Sequence, residues 1–296
     1  MMTLSDKQEY LTAALKCIPI HIKAAAVYGS WARGTQKEES DLDLLLISDD
    51  INPKRHRRGA HIAMIKERVL SGIPLDIMLL TTSECISNFR NHNPLFLDIA
   101  TEGVTLFDED GLLRRLITET KAYISDKDIR KSGDGWTFHM PYRAAGFLSE
   151  VSNEDFARAM LTDGERDYQI GVNILEDGYS DKAVYHFQQA VEKAVKAILI
   201  CFGIYKKTHF VGEILSEEVD RREIDQEWQQ RLKQVASISL EIEPEVTWSR
   251  YPGIAEDALW IPSEEYTADD ANQIREKCNV VMAAAREFVS WWFGEA

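Results

Sequence analysis

The sequence predicts an α+β head followed by an all-helical body, and three observations lead there. Short apolar runs at residues 24–28, 42–47, 74–80 and 104–107 alternate with helical patterns, the mark of a small mixed sheet flanked by helices. From Ser152 onward, long segments repeat apolar residues in steps of three and four, the seam of an up-and-down helical bundle. Between the two, Gly133, Gly135, Pro141 and Gly146 break every pattern while Trp136 and its aromatic neighbours still need burial, so the junction reads as an ordered linker. The boundaries drawn are 1–120 for the head, 121–151 for the linker and 152–296 for the body.

A first helix over residues 4–18 carries Leu4, Tyr10, Leu11, Ala14 and Leu15 as its apolar stripe and ends at the Ile18-Pro19 step. A strand up to Tyr28 breaks at Gly29-Ser30, and a short helix near Trp31 to Gly34 would aim its first amides at any phosphate placed there. The next strand begins with Asp41 and Asp43 two residues apart, so both carboxylates leave one strand face. Acids held that close repel unless a cation lies between them, and a divalent metal is the usual one. Gly29 lets the backbone approach a phosphate closely, and Ser30 can donate to it. Arg33 suits a phosphate or a structural acid equally well.

A basic cluster, Lys54, Arg55, His56, Arg57 and Arg58, reads mainly as the solvated entry to a helix that runs to about residue 70, with the grip on a triphosphate as the alternative. His61 lies on that helix's apolar stripe and reads as a satisfied core histidine. The next strand holds Asp76 between Leu75 and Ile77, and a helix capped at Thr82 or Ser83 follows it. Asp76 can meet the other two acids only if its strand lies beside residues 42–47. In the body, Ser152 and Asp155 resemble a capping box, Gly178 and Gly203 stop two helices, and a last helix from near Thr267 stacks Ile274, Cys278, Val281, Ala285, Phe288 and Trp292.

Composition bounds the rest. With 296 residues, 45% hydrophobic and 28% charged, the chain has room for two ordinary cores. No apolar run reaches membrane-span length, and the start, with Asp6, Lys7 and Glu9, lacks a signal-peptide core. Cys17, Cys85, Cys201 and Cys278 show no metal-ligand spacing and suit a reduced, cytoplasmic protein. Residues 1–125 carry 15 Lys and Arg against 17 Asp and Glu, net −2, whereas the remainder carries 19 against 32, net −13. So acidic a second half argues against non-specific nucleic-acid binding.

Gly29-Ser30, then Asp41-x-Asp43, then Asp76 on a later strand resembles the DNA polymerase β-type nucleotidyltransferases, most closely the minimal nucleotidyltransferases, over residues 10–115. The resemblance implies transfer of a nucleoside monophosphate from an NTP, ATP foremost, to a hydroxyl acceptor. It gives Asp41, Asp43 and Asp76 the roles of catalytic carboxylates and ligands of two Mg²⁺ (or Mn²⁺) ions, and Gly29, Ser30 and Arg33 contact with the nucleotide. A second resemblance, to HEPN domains, rests on Tyr185-His186-Phe187-Gln188-Gln189-Ala190-Val191-Glu192-Lys193-Ala194, on Lys207-Thr208-His209 and on Arg250-Tyr251-Pro252, and spans residues 155–292. Ribonucleases of that family place an Arg four to six residues before a His, and neither His186 nor His209 has one. The two domains in this order are similar to the plan of kanamycin nucleotidyltransferase. HEPN resemblance implies a homodimer through the helical body. A nucleotide sensor without turnover, or a toxin–antitoxin type of fusion, stands as the alternative function.

Overall fold

In the first unit every strand of the mixed sheet is mostly apolar, with Asp43, Asp76 and Asp108 as the charged exceptions. The computed structural model describes residues 3–69, 72–146, 148, 150–255 and 257–294. The chain divides into two compact units, Met1–Asp128 and Ile129–Ala296. The first unit runs α1 (Leu4–Lys16), β1 (Ala24–Tyr28), α2 (Gly29–Arg33), β2 (Leu42–Ile47), a 3₁₀ turn (Arg55–Arg57), α3 (Gly59–Arg68), β3 (Leu75–Leu80), α4 (Thr82–Arg90), α5 (Pro94–Glu102), β4 (Val104–Asp108) and α6 (Leu112–Asp126). The sheet order is β3-β2-β1-β4, with β2 and β3 parallel and β1 antiparallel to both β2 and β4. The strand bearing Asp76 therefore lies beside the strand bearing Asp43.

β2 is apolar almost throughout because it is buried on both faces. Leu42, Leu44 and Leu46 pack with Leu11, Leu15 and Ile65 on one side, while Leu45 and Ile47 pack with Cys85, Phe89, Phe96, Leu113 and Leu116 on the other. The cap of α4 is Thr81, one residue earlier than the sequence suggests, because Glu84 at the third helical position completes a box with it. The sequence predicts no element for the stretch that forms α6, where Leu113, Leu116 and Thr120 make a buried stripe. His61 is not the satisfied core histidine expected: its Nδ1 is buried with no hydrogen-bond partner among the described residues.

The second unit continues with β5 (Arg130–Ser132), β6 (Gly135–Thr137), α7 (Asn153–Glu176), α8 (Ser180–Cys201), β7 (Ile204–Tyr205), α9 (Gly212–Arg221), α10 (Gln226–Ile242), α11 (Glu245–Trp248), β8 (Gly253–Ala255), β9 (Ala258–Trp260), α12 (Pro262–Glu265) and α13 (Ala268–Phe293). α7, α8 and α13 pack on one another, and α10 covers α8 and α13. Gly171 of α7 sits where a Cβ would lie 2.7 Å from the Phe187 ring, so its lack of a side chain sets how closely α7 meets α8. Lys193 of α8 spans Asp163 and Asp167 of α7, each at 2.5 Å. The stretch read as a linker is partly regular: β5 pairs with β6, and β6 with β7 at the end of α8. No helix among the described residues is long and apolar enough to cross a membrane.

Candidate active site

The turn after β1 and the start of β2 form one steric unit. Gly29 has φ +69°, a left-handed backbone that side chains disfavour. A Cβ built there would lie 2.9 Å from the carboxyl carbon of Asp43, so the carboxylate occupies the space a side chain would need. One turn of helix follows and closes at Gly34 with φ 70°. Buried Trp31 donates from its indole nitrogen to the Ser40 carbonyl at 3.1 Å, which fixes the loop carrying Asp41 into β2. The Leu42 amide donates to the Pro74 carbonyl at 2.8 Å, which starts the parallel ladder.

That ladder sets Asp43 opposite Asp76, and the antiparallel ladder sets Asp43 opposite Tyr28. Tyr28, Asp43 and Asp76 thus lie in one row across three strands, on one face of the sheet. Asp43 is half-buried, while Asp41 and Asp76 are exposed. Tyr28 is only 7% exposed. Burial, and then the charges of Asp43 and Asp76, push its phenol well above the usual range, so it stays protonated as a hydrogen-bond donor. Sequence spacing gave no sign of Tyr28, because its place beside Asp43 depends on strand register.

Among the described residues, no group of three or more His, Cys, Asp or Glu side chains closes around a metal position. The donors present are hard carboxylate oxygens, with half-buried Asp43 in register with exposed Asp76. That set fits Mg²⁺, which is commonly held by one or two carboxylates with water and substrate phosphates completing its shell. Arg33 donates to Glu102 of α5 at 3.1 Å. The basic cluster splits: Lys54, Arg55, His56 and Arg57 are exposed, whereas Arg58 is 1% exposed and wholly engaged. It donates to the Asn52, Pro53 and Leu79 carbonyls and, fork-fashion, to both oxygens of Glu84.

In the second unit, His186 Nδ1 lies 3.1 Å from Asp167, and His209 Nδ1 lies 3.0 and 3.1 Å from the two oxygens of buried Glu192. Glu192 also accepts from Lys196 at 2.8 Å. Arg250 stacks over Tyr185 and Tyr251, with ring centroids at 5.0 and 4.8 Å. The aromatic loop is not packed away: Trp248 and Tyr251 are each more than half exposed, beside an open apolar depression completed by Trp260.

Residues 11–102 match the family described as nucleotidyltransferase domain, and residues 142–291 match the HEPN domain. MJ1304 of Methanocaldococcus jannaschii, designated a candidate toxin, is 30% identical over 142 residues, covering 48% of this chain and 93% of its own. MJ1379 of the same organism, designated a candidate protein adenylyltransferase, is 32% identical over 80 residues, covering 26% of this chain and 79% of its own. A nucleotidyltransferase-like protein from Exiguobacterium sibiricum 255-15 overlaps 97% of this chain and 72% of its own at 12% identity and a TM-score of 0.35. The chain belongs to the HEPN domain family and carries a nucleotidyltransferase domain ahead of that domain.

Proposed function

We propose that the first unit transfers a nucleoside monophosphate from ATP to a hydroxyl acceptor. The observation that carries the reading is the in-register pair Asp43 and Asp76 beside a glycine turn shaped around Asp43. Asp41, Asp43 and Asp76 would hold Mg²⁺, which supplies positive charge to the attacking and leaving oxygens. The Gly29 backbone and the Ser30 hydroxyl hold the phosphates. Asp76, exposed at the edge strand, takes the proton as the acceptor oxygen bonds to the α-phosphorus. The bond to the bridging oxygen then breaks, and pyrophosphate leaves. The likeness to MJ1379 supports ATP as donor and a protein hydroxyl as acceptor. A cytoplasmic homodimer joined through the helical body completes the proposal.

The test is incubation of the full chain with α-labelled ATP and Mg²⁺, followed by mass analysis of the protein and of an added pool of hydroxylated metabolites. Label should appear in an adduct heavier than its acceptor by one nucleotidyl group, a nucleoside monophosphate less one water, with release of pyrophosphate. Asp43→Asn should melt at the parental temperature or higher without nucleotide, because it relieves repulsion, yet lose the stabilisation given by MgATP. Asp76→Asn should still bind MgATP and lose about 100-fold or more in transfer. Asp43→Asn that binds MgATP like the parent would sink the metal assignment.

A further inference from the structure

The second unit holds a buried donor with nothing in the chain to donate to. Trp292, in the last turn of α13, is only 2% exposed, and its indole Nε1 has no hydrogen-bond partner among the described residues. An unpaired buried polar group costs free energy, so a donor placed this way calls for an acceptor from outside the chain. The ring itself is held, with Phe202 at 5.1 Å and Phe288 at 5.6 Å between centroids.

Trp292 lines a cavity of about 430 Å³ together with Tyr142, Arg222, Glu223 and Ile224. Arg222, in the link from α9 to α10, donates from Nε to Glu218 at 3.2 Å and from Nη2 to the Phe202 carbonyl at 3.3 Å. Both Nη1 protons are left for a ligand. The guanidinium lies 4.6 Å over the same Phe202 ring that packs on Trp292, so the two donors flank one aromatic. Tyr142 forms the outer wall, edge-on to Trp292 at 5.3 Å and 59% exposed. Next to it, Arg143 donates twice to the Trp291 carbonyl, which holds the backbone while the Tyr142 ring can turn off the indole edge.

We propose that this cavity binds a small carboxylate that carries an apolar group. One carboxylate oxygen accepts from the Trp292 indole and the other from Arg222 Nη1, while the apolar group lies against Ile224 and the two aromatic rings. Glu223, exposed at the cavity, adds a negative charge that weighs more against a phosphate dianion than against a carboxylate. The site belongs to the helical body and is independent of nucleotidyl transfer by the head.

Nuclear magnetic resonance of the isotope-labelled full chain, titrated with phenylacetate, phenylacetamide and inorganic phosphate, tests the assignment. The indole N–H signal missing from Trp292→Phe identifies Trp292. Phenylacetate should move that signal downfield as the proton gains an acceptor, and the neutral amide and phosphate should each need about tenfold more to do so. By calorimetry, Arg222→Gln should weaken phenylacetate about 10- to 100-fold and Trp292→Phe about 3- to 10-fold, the ranges of a charged and a neutral hydrogen bond. Glu223→Gln should bring phosphate closer to phenylacetate. If Trp292→Phe fails to fold, Arg222→Gln decides alone, since its side chain is partly exposed. A Trp292 signal unmoved at tens of millimolar phenylacetate overturns the proposal, as does parental affinity in Arg222→Gln or an equal response to phosphate.

Discussion

Gly29 shows how one residue can fix both backbone and chemistry. Its positive φ would cost an alanine about 1–2 kcal/mol, and the new methyl would also press on the Asp43 carboxylate. Gly29→Ala should therefore lower the melting temperature as well as abolish the MgATP shift, whereas Asp43→Asn should do only the second. Adding Asp43→Ala to Gly29→Ala should recover part of the lost stability, which a double-mutant cycle in denaturant would read as coupling. At the far end of β2, Asp49 behaves differently. Lys23 at 2.7 Å, then the Thr82 amide and hydroxyl, hold its carboxyl down at about 2. A carboxyl more acidic in the folded than in the unfolded chain stabilises at pH above its unfolded value of about 4. The contribution fades as pH falls toward 2. The gap in melting temperature between parent and Asp49→Ala should accordingly be full at neutral pH and close over that window. A gap that persists at pH 2 would mean that packing, not charge, is responsible.

At the level of elements, Arg58 is the clasp between the start of α3, the end of β3 and the cap of α4. Glu84, which receives the fork, also accepts from the Thr81 amide at 2.8 Å, so one carboxylate serves both the arginine and the helix start. Arg58→Ala should cost about 3 kcal/mol in chemical denaturation, the low end for breaking a buried pair because Glu84 keeps partial access to water. Arg58→Lys should recover little, since an ammonium cannot replace a five-donor fork. The basic run reads from sequence as a solvated helix entry, and in the structure only its first four residues are exposed. Nothing in the spacing separates Arg58 from its neighbours, because its acceptors lie on β3 and α4. Strands and long helices were legible because their apolar periods are strong, as in β2 and α13. β5, β6 and β7 are too short to show a period, and their pairing partners lie far apart in the chain.

For the whole molecule, a head and a body are legible in the sequence because charge and periodicity change between them. The sequence made a meeting of Asp76 with Asp43 conditional on neighbouring strands, and the row through Tyr28 needed the register. The sequence alone suggests that the body folds from about residue 150. The structure argues for an earlier start: Ile129, Trp136 and Phe138 are buried in the second unit, and Phe138 packs edge-on against Tyr205 at 5.2 Å. A fragment of residues 129–296 should be more stable than one of residues 152–296 by several kcal/mol, at about 3 kcal/mol for each large buried aromatic retained. Equal stability of the two in urea would show that the ribbon contributes nothing. Neither fragment should cleave single-stranded RNA, because His186 and His209 face carboxylates and no arginine precedes either at ribonuclease spacing.

The ribbon also bears on how the chain is made. β4 finds its partner β1 as soon as residue 108 has emerged, so the first sheet can close while the rest of the chain is still being synthesised. β6 has β5 beside it at once but must wait from Thr137 until Ile204 for its second partner, β7, across the whole of α7 and α8. Its loop-closure entropy is unfavourable until the α7–α8 hairpin has formed and brought the two ends together. The second unit should thus form its α7–α8 hairpin first and add β7 to the ribbon after it. During translation, residues 130–137 would stay a two-stranded hairpin until Tyr205 has emerged, ahead of α9 to α13.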